Sequence, residues 1–237
     1  MLSATQTICR PARPSTASRS RFAELVRKIG TSATRSSKKR RSKARRRVLQ
    51  ATEELRRFAL GARLRAVVLT LTFANDASFS PRHISAFLAC VRQMLKRRGH
   101  VLPYAWVLER AARLHYHLVL WLPRDISLDR ERLKKWWPWG STWTQGCRSV
   151  KAWGRYMAKL GGMAFLPKGA RVFGYGGLDA SGKRAVQRVA LPQWLRSLVP
   201  IDARVRAFPS GGWVDADTGE HYRSPYVWTP RGCVMRK

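Results

Sequence analysis

Tyr104-Ala-Trp-Val-Leu-Glu-Arg-Ala-Ala-Arg-Leu-His-Tyr-His-Leu-Val-Leu-Trp-Leu122 reads as two strands joined by a tight connection. Its halves, 104–109 and 114–122, are rich in apolar, β-branched and aromatic residues, and the polar Glu109–Arg113 segment lies between them. A hairpin centred on Ala112 places Glu109 directly opposite His115 and diagonal to His117. Side chains at i and i+2 of a strand share a face, so both imidazoles project together. Directly opposite side chains lie roughly 5 Å apart and diagonal ones about 7 Å, within reach of one ion. Two imidazoles and a carboxylate leave coordination positions open for a substrate oxygen. A lone His-x-His pair is more often surface or core than ligand; the facing Glu109 turns the balance toward a metal site. Mixed N/O ligation suits Mn²⁺ or Zn²⁺ better than Mg²⁺.

Outward from this hairpin, Arg65–Phe73 (RAVVLTLTF) is a β-branched, apolar run expected to be a buried strand. Ser80-Pro81 reads as a helix start, Ile84, Phe87, Leu88, Val91 and Leu95 follow at helical spacing, and Gly99 closes the helix. On the C-terminal side a short helix is expected over Ser127–Trp137, stopped before Pro138, and a strand over Trp143–Arg148. Val150, Trp153, Met157 and Leu160 line one side of a further helix ending at Gly161-Gly162. Strand, helix, hairpin, helix, strand, helix implies an α+β sandwich, an antiparallel sheet with helices packed on one face. Lys168–Gly177 reads as a Gly-rich loop, Ala185–Leu198 as a helix, and Gly211–Tyr226 as a hairpin turning at Asp217-Thr218-Gly219.

The 237 residues carry 47 Lys and Arg against 13 Asp and Glu, a net charge of +34, which selects polyanions as partners and nucleic acid above all. Charge alone specifies no reaction, since packaging proteins share it. Much of it lies in residues 1–62, expected to be a basic, flexible DNA-binding arm with Lys38, Lys39, Arg40, Arg41, Arg45, Arg46 and Arg47 at its centre. Such a block gains affinity by releasing counterions from phosphates. Arg47–Ala62 has helical spacing through Leu49, Leu55, Phe58 and Leu60. The four cysteines form no CxxC pair, which argues against a zinc ribbon and for a reducing, cytoplasmic setting. No apolar run approaches the roughly 20 residues of a membrane span, and the Arg- and Ser-rich start suits a nucleic-acid arm better than a targeting peptide.

Tyr156 and Lys159 stand at i and i+3 on the helix after Val150, hence on one face. A tyrosine attacks phosphorus once its oxygen is deprotonated and positioned, and a neighbouring lysine favours the phenolate or neutralises the phosphate. Alone, a helix tyrosine is more often a packing residue. Order and combination decide otherwise. Leu69-Thr70-Leu71-Thr72-Phe73, His115-Tyr116-His117 and Tyr156-Met157-Ala158-Lys159 follow one another as the three motifs of the HUH endonucleases do. The chain resembles the single-tyrosine rolling-circle replication initiators of small plasmids and filamentous phages. Ala152 and Leu160 leave no second tyrosine one turn away, unlike two-tyrosine initiators, and relaxases carry the tyrosine before the histidines.

The resemblance spans about Leu64–Gly177. It implies a five-stranded antiparallel sheet of HUH, ferredoxin-like palm type with the metal site on the face opposite the helices. It further implies a divalent ion (Mg²⁺ or Mn²⁺) on Glu109, His115 and His117, Tyr156 and Lys159 as catalytic residues, and Thr70 and Thr72 beside DNA. The activity implied is nicking of single-stranded or hairpin-extruded origin DNA in a bacterial cytoplasm, with host helicase and polymerase as partners. Three segments are expected: the arm 1–62, a nicking domain 63–178 and a C-terminal extension 179–237. The rival readings are a non-catalytic basic nucleic-acid-binding protein, and a relaxase or transposase with the same chemistry.

Overall fold

The computed structural model describes residues 40–159, 166–167, 169–209, 211–230 and 232–235. Lys38, Lys39, the Leu160–Gly162 helix end and the first 39 residues of the expected arm lie outside them. The chain divides into two compact units, Met1–Ser42 and Lys43–Lys237. In the first, residues 40–42 are helical.

The second unit is built on a five-stranded sheet. Its strands are β1 (Arg65–Phe73), β2 (Tyr104–Arg110), β3 (Leu114–Leu122), β4 (Gly140–Gly146) and β5 (Phe173–Gly176), in the order β4-β1-β3-β2-β5. Every neighbouring pair is antiparallel. The central hairpin has the expected register: Glu109 pairs with His115 and Val107 with His117.

The two faces follow from alternation. Leu69, Leu71, Phe73, Trp106, Leu108, Tyr116 and Leu118 project to one side and join a core with α2 (His83–Lys96) and α3 (Arg130–Trp136). The α2 residues that enter it are the five expected from spacing. The helix itself starts later than Ser80-Pro81, which forms a preceding turn in which the Ser80 hydroxyl accepts from the Arg82 amide at 3.3 Å.

The opposite face is divided along its length. Val68, Ala105, Val107, Val119 and Trp121 form a second core with α4 (Val150–Met157) and Val186 of α5 (Ala180–Arg188). A long helix, α1 (residues 43–61), also enters this core through Val48, Ala51, Leu55 and Ala59. The remainder of the face carries Thr70, Thr72, His115, His117 and Glu109. The helical layer expected on one face is present, and the site face has its own cover at the apolar end.

Residues up to 62 are therefore not all arm. The buried stripe of α1 is 48, 51, 55 and 59, while Phe58 and Leu60 are exposed. Small residues made this stripe hard to see: Ala51 and Ala59 let the helix approach the sheet closely and carry little hydrophobic signal. Leu55→Ala is expected to destabilise the protein by about 2–5 kcal/mol, because the side chain is fully buried. A denaturant midpoint within error of wild type would return α1 to the tail.

The Gly-rich loop expected over 168–177 is also corrected, since β5 pairs with β2 at the sheet edge. Trp106 and Tyr104 lie where a Cβ on Gly174 and Gly176 would go, so the glycines are there to admit the aromatic rings. β4 begins three residues before Trp143. The Ala185–Leu198 helix is two helices, α5 and α6 (Gln193–Leu198), because Pro192 interrupts the hydrogen-bond ladder between them. Leu191, Leu195 and Val199 then form a separate small core with Val205, Trp213 and Tyr222. The last three belong to a three-stranded sheet of β6 (Val205–Ala207), β7 (Trp213–Asp215) and β8 (His221–Tyr222). Its β7–β8 connection contains the expected Asp217-Thr218-Gly219 turn. A hairpin of β9 (Tyr226–Thr229) and β10 (Gly232–Met235) follows.

Candidate metal and nucleophile site

Strand pairing brings Glu109, His115 and His117 to one spot. One ligand atom from each lies within 4.8 Å of the other two. Glu109 Oε2 is 3.7 Å from His117 Nε2, and the two imidazoles meet edge to face with centroids 4.6 Å apart. Each histidine is anchored through its other nitrogen. His115 Nδ1 is 2.9 Å from the Arg113 carbonyl oxygen, and His117 Nδ1 is 3.3 Å from the Thr70 hydroxyl. A carbonyl only accepts, so His115 carries its proton on Nδ1, and its Nε2 lone pair is left for an ion.

The hairpin is pinned from outside. Asp76, in the turn after β1, accepts from the Leu114 amide at 2.8 Å and pairs with Arg110 at 2.8 Å. That leaves Glu109 beside His117, and among the described residues no arginine pairs with it as with an ordinary surface charge.

Burial sets the electrostatics. His117 is desolvated and stands beside His115, which together lower its pKa to about 4. Its contact with Glu109 is thus between a neutral ring and a carboxyl group at neutral pH, not an ion pair. Desolvation raises the Glu109 pKa above the usual carboxylate value, with His115 opposing the shift. A neutral His117 ring cannot neutralise a half-buried carboxylate beside it. A divalent cation can, and the donor set fits one: two nitrogens, one oxygen and an open side.

The sign of the pH dependence follows for the metal-free protein. Between pH 6.5 and about 4 the unfolded chain binds a proton at residue 117 that the folded chain refuses, so stability falls as pH falls through that window. Glu109 acts in the opposite sense, since its folded form binds a proton more readily than the unfolded chain does. With chelator present, the denaturant midpoint is expected to drop on acidification across this range, and to drop less in His117→Gln. Parallel curves for the two proteins would rule out a buried neutral imidazole.

Tyr156 sits on α4, whose start is fixed by the Ser149 hydroxyl accepting from the Ala152 amide at 3.2 Å. Trp153 and Met157 hold the helix to the sheet, and Tyr156 faces outward, 51% exposed. Its ring meets the His117 ring edge on, with centroids 6.0 Å apart, and Lys159 Nζ lies 5.5 Å from the Tyr156 ring centre. The other tyrosines near the sheet are placed differently. Tyr116 is buried in the opposite core, where desolvation raises its pKa. Tyr175 packs in the apolar half of the site face, stacked on Phe173 at 5.6 Å.

The remaining candidates divide. Thr70 and Thr72 are on the site face, paired with His117 and His115; the Thr70 hydroxyl is engaged with His117, a positioning contact invisible without the β1–β3 pairing. Arg40, Arg41, Arg45 and Arg46 are exposed and Arg47 is half-buried, all on helical backbone. His83 stacks on Trp139 at 3.8 Å and His221 packs on Phe208 at 4.8 Å, each away from the triad. Among the described residues no helix is long and apolar enough to cross a membrane.

Residues 66–161, about two fifths of the chain, match the family model for the replication-associated protein ORF2 group. That segment runs from β1 through Lys159 and includes the triad and Tyr156. No curated protein and no solved structure matches. The similarity is to proteins associated with replication, and so to proteins that act at DNA.

Proposed function

We propose that the chain is a replication initiator that nicks single-stranded or hairpin-extruded origin DNA, with Tyr156 as nucleophile. The observation that carries this reading is the approach of Tyr156 to the Glu109, His115 and His117 cluster, within the segment similar to replication-associated proteins. Glu109, His115 and His117 would hold Mg²⁺ or Mn²⁺, which when bound supplies positive charge at the scissile phosphate. The Tyr156 oxygen, stripped of its proton, attacks phosphorus. The new bond is Tyr–O–P, the bond that breaks is P–O3′, and the departing 3′ oxygen takes a proton to become a hydroxyl. The products are a 5′-phosphotyrosine and a 3′-OH for a polymerase to extend. Lys159, in the turn just after α4 and not on the helix itself, keeps its Nζ 5.5 Å from the Tyr156 ring centre and neutralises phosphate charge or favours the phenolate.

Thr70 keeps His117 turned toward its partners. The basic residues from Lys38 to Arg47 add affinity that does not depend on sequence. Phosphodiester energy is kept in the phosphotyrosine, so a second strand transfer needs no nucleotide cofactor. The test is covalent capture. Purified protein, Mn²⁺ and single-stranded DNA from the replicon that encodes it should give an adduct that survives denaturation and maps to Tyr156. Tight binding with no adduct across the replicon would favour a non-catalytic DNA-binding protein.

A further inference from the structure

Trp143 is the exposed tryptophan among those whose side chains are described, at 68%. An exposed indole on a strand is costly and unprotected, and this one has a defined address. It lies on the edge strand β4, paired with Thr70, and Thr70 pairs in turn with His117. Directly paired residues share a face, so Trp143, Thr70 and His117 form one row across the sheet. With strands about 4.8 Å apart, the indole stands roughly 10 Å from the metal-site histidine, on the metal-site side. The next residue of β4 on that face, Gln145, lines a cavity of about 860 Å³ with Arg65, Arg148 and Trp153 and, among the described residues, no acidic side chain.

We infer that Trp143 is a stacking platform for an unpaired base close to the scissile phosphate, and that the strand continues past Gln145 toward Arg148. This deepens the nicking reading and depends on it for the choice of DNA. The occupant is single-stranded DNA because three features converge: a flat aromatic face open to solvent, a neighbouring groove whose described charged side chains are the cationic Arg65 and Arg148, and a row shared with the proposed reacting centre. Every base offers a π-face, so the platform is indifferent to sequence and acts by fixing one nucleotide in register with Tyr156. A duplex has no free base face to offer, which makes unpaired DNA the preferred substrate.

The probe is a fluorescein-labelled oligothymidine in chelator, where no cleavage competes, compared with an abasic oligomer of the same length and charge. Trp143→Ala should weaken oligothymidine binding by about five- to hundredfold and Trp143→Phe by no more than about threefold. On the abasic oligomer all three proteins should bind alike. In the wild-type protein, a 5-iodouracil-substituted strand should photocrosslink to the peptide containing Trp143, a readout that needs no variant to fold. Unchanged oligothymidine binding in Trp143→Ala, an equal loss on the abasic oligomer, or a crosslink confined to other peptides would each overturn the platform. So would a shift in oligomeric state without a binding change, which would make Trp143 a contact between copies. Adduct formation is scored separately. Trp143-dependent binding without any adduct sinks the nicking reading and leaves the platform, and adduct formation with Trp143-independent binding does the reverse.

Discussion

Tyr156→Phe is expected to abolish the covalent adduct while leaving affinity for single-stranded DNA within about twofold. The substitution removes one oxygen from a half-exposed ring, so no buried partner is left unpaired and the surface change is worth under about 0.5 kcal/mol. The proposed reaction, in contrast, has lost the atom that forms the new bond, and no other tyrosine stands at the same place among the described residues. Tyr116 is on the far side of the sheet, among α2 and α3, with its phenol buried. Tyr175 is on the right face but two cross-strand positions from the triad, in the row of Val119 and Ala105. An adduct that persists in Tyr156→Phe and maps to either of them would show that the helix tyrosine is a bystander. Lys159→Ala should behave differently from Tyr156→Phe, slowing adduct formation without preventing it, since a nearby cation assists the attack and is not consumed by it.

What could be read from the sequence was whatever a local period encodes. The β2–β3 hairpin is short and symmetric about Ala112, so its register, and the meeting of Glu109 with His115 and His117, follow from counting alone. α2 was equally legible, because five large apolar residues repeat at helical spacing on one side. The losses have physical causes. α1 buries alanines and exposes Phe58 and Leu60, which inverts the usual association of size with burial. β5 is Phe-Gly-Tyr-Gly, a loop by propensity, and is a strand only because Trp106 and Tyr104 of β2 need the room that Gly174 and Gly176 leave. The Thr70 contact to His117 and the row that includes Trp143 depend on pairings between strands distant in the chain. No periodicity within one segment specifies them. The triad was thus visible as a candidate metal-binding cluster, while the residues that orient it and the surface around it were not.

Glu109→Ala is expected to lower Mn²⁺ affinity by about tenfold or more and to leave Tyr156 chemistry recoverable at high Mn²⁺. The carboxylate is the one acidic member of the set, so its loss removes most of the site's electrostatic attraction for a dication. Both histidines keep their supports after the substitution, since the Arg113 carbonyl and the Thr70 hydroxyl do not involve Glu109. Two correctly aimed imidazoles should therefore still bind an ion when its concentration is raised. Tyr156→Phe offers a contrast within the same assay, because no ion restores a missing nucleophile. The alternative role for Glu109 is a charge pair with an arginine of the hairpin, worth under about 1 kcal/mol and unrelated to metal. Arg110 is instead paired with Asp76, and Glu109 lies against His117 in a half-buried position where a bare carboxylate is poorly solvated. Stability gives an independent reading of the same point. Without metal, removing a desolvated carboxylate should leave the denaturant midpoint unchanged or raise it; with saturating Mn²⁺, wild type should gain more than Glu109→Ala, because only a ligand bound tightly to the folded state shifts the unfolding equilibrium. An identical Mn²⁺ titration in the two proteins would sink the three-ligand site and leave His115 and His117 in need of a third partner.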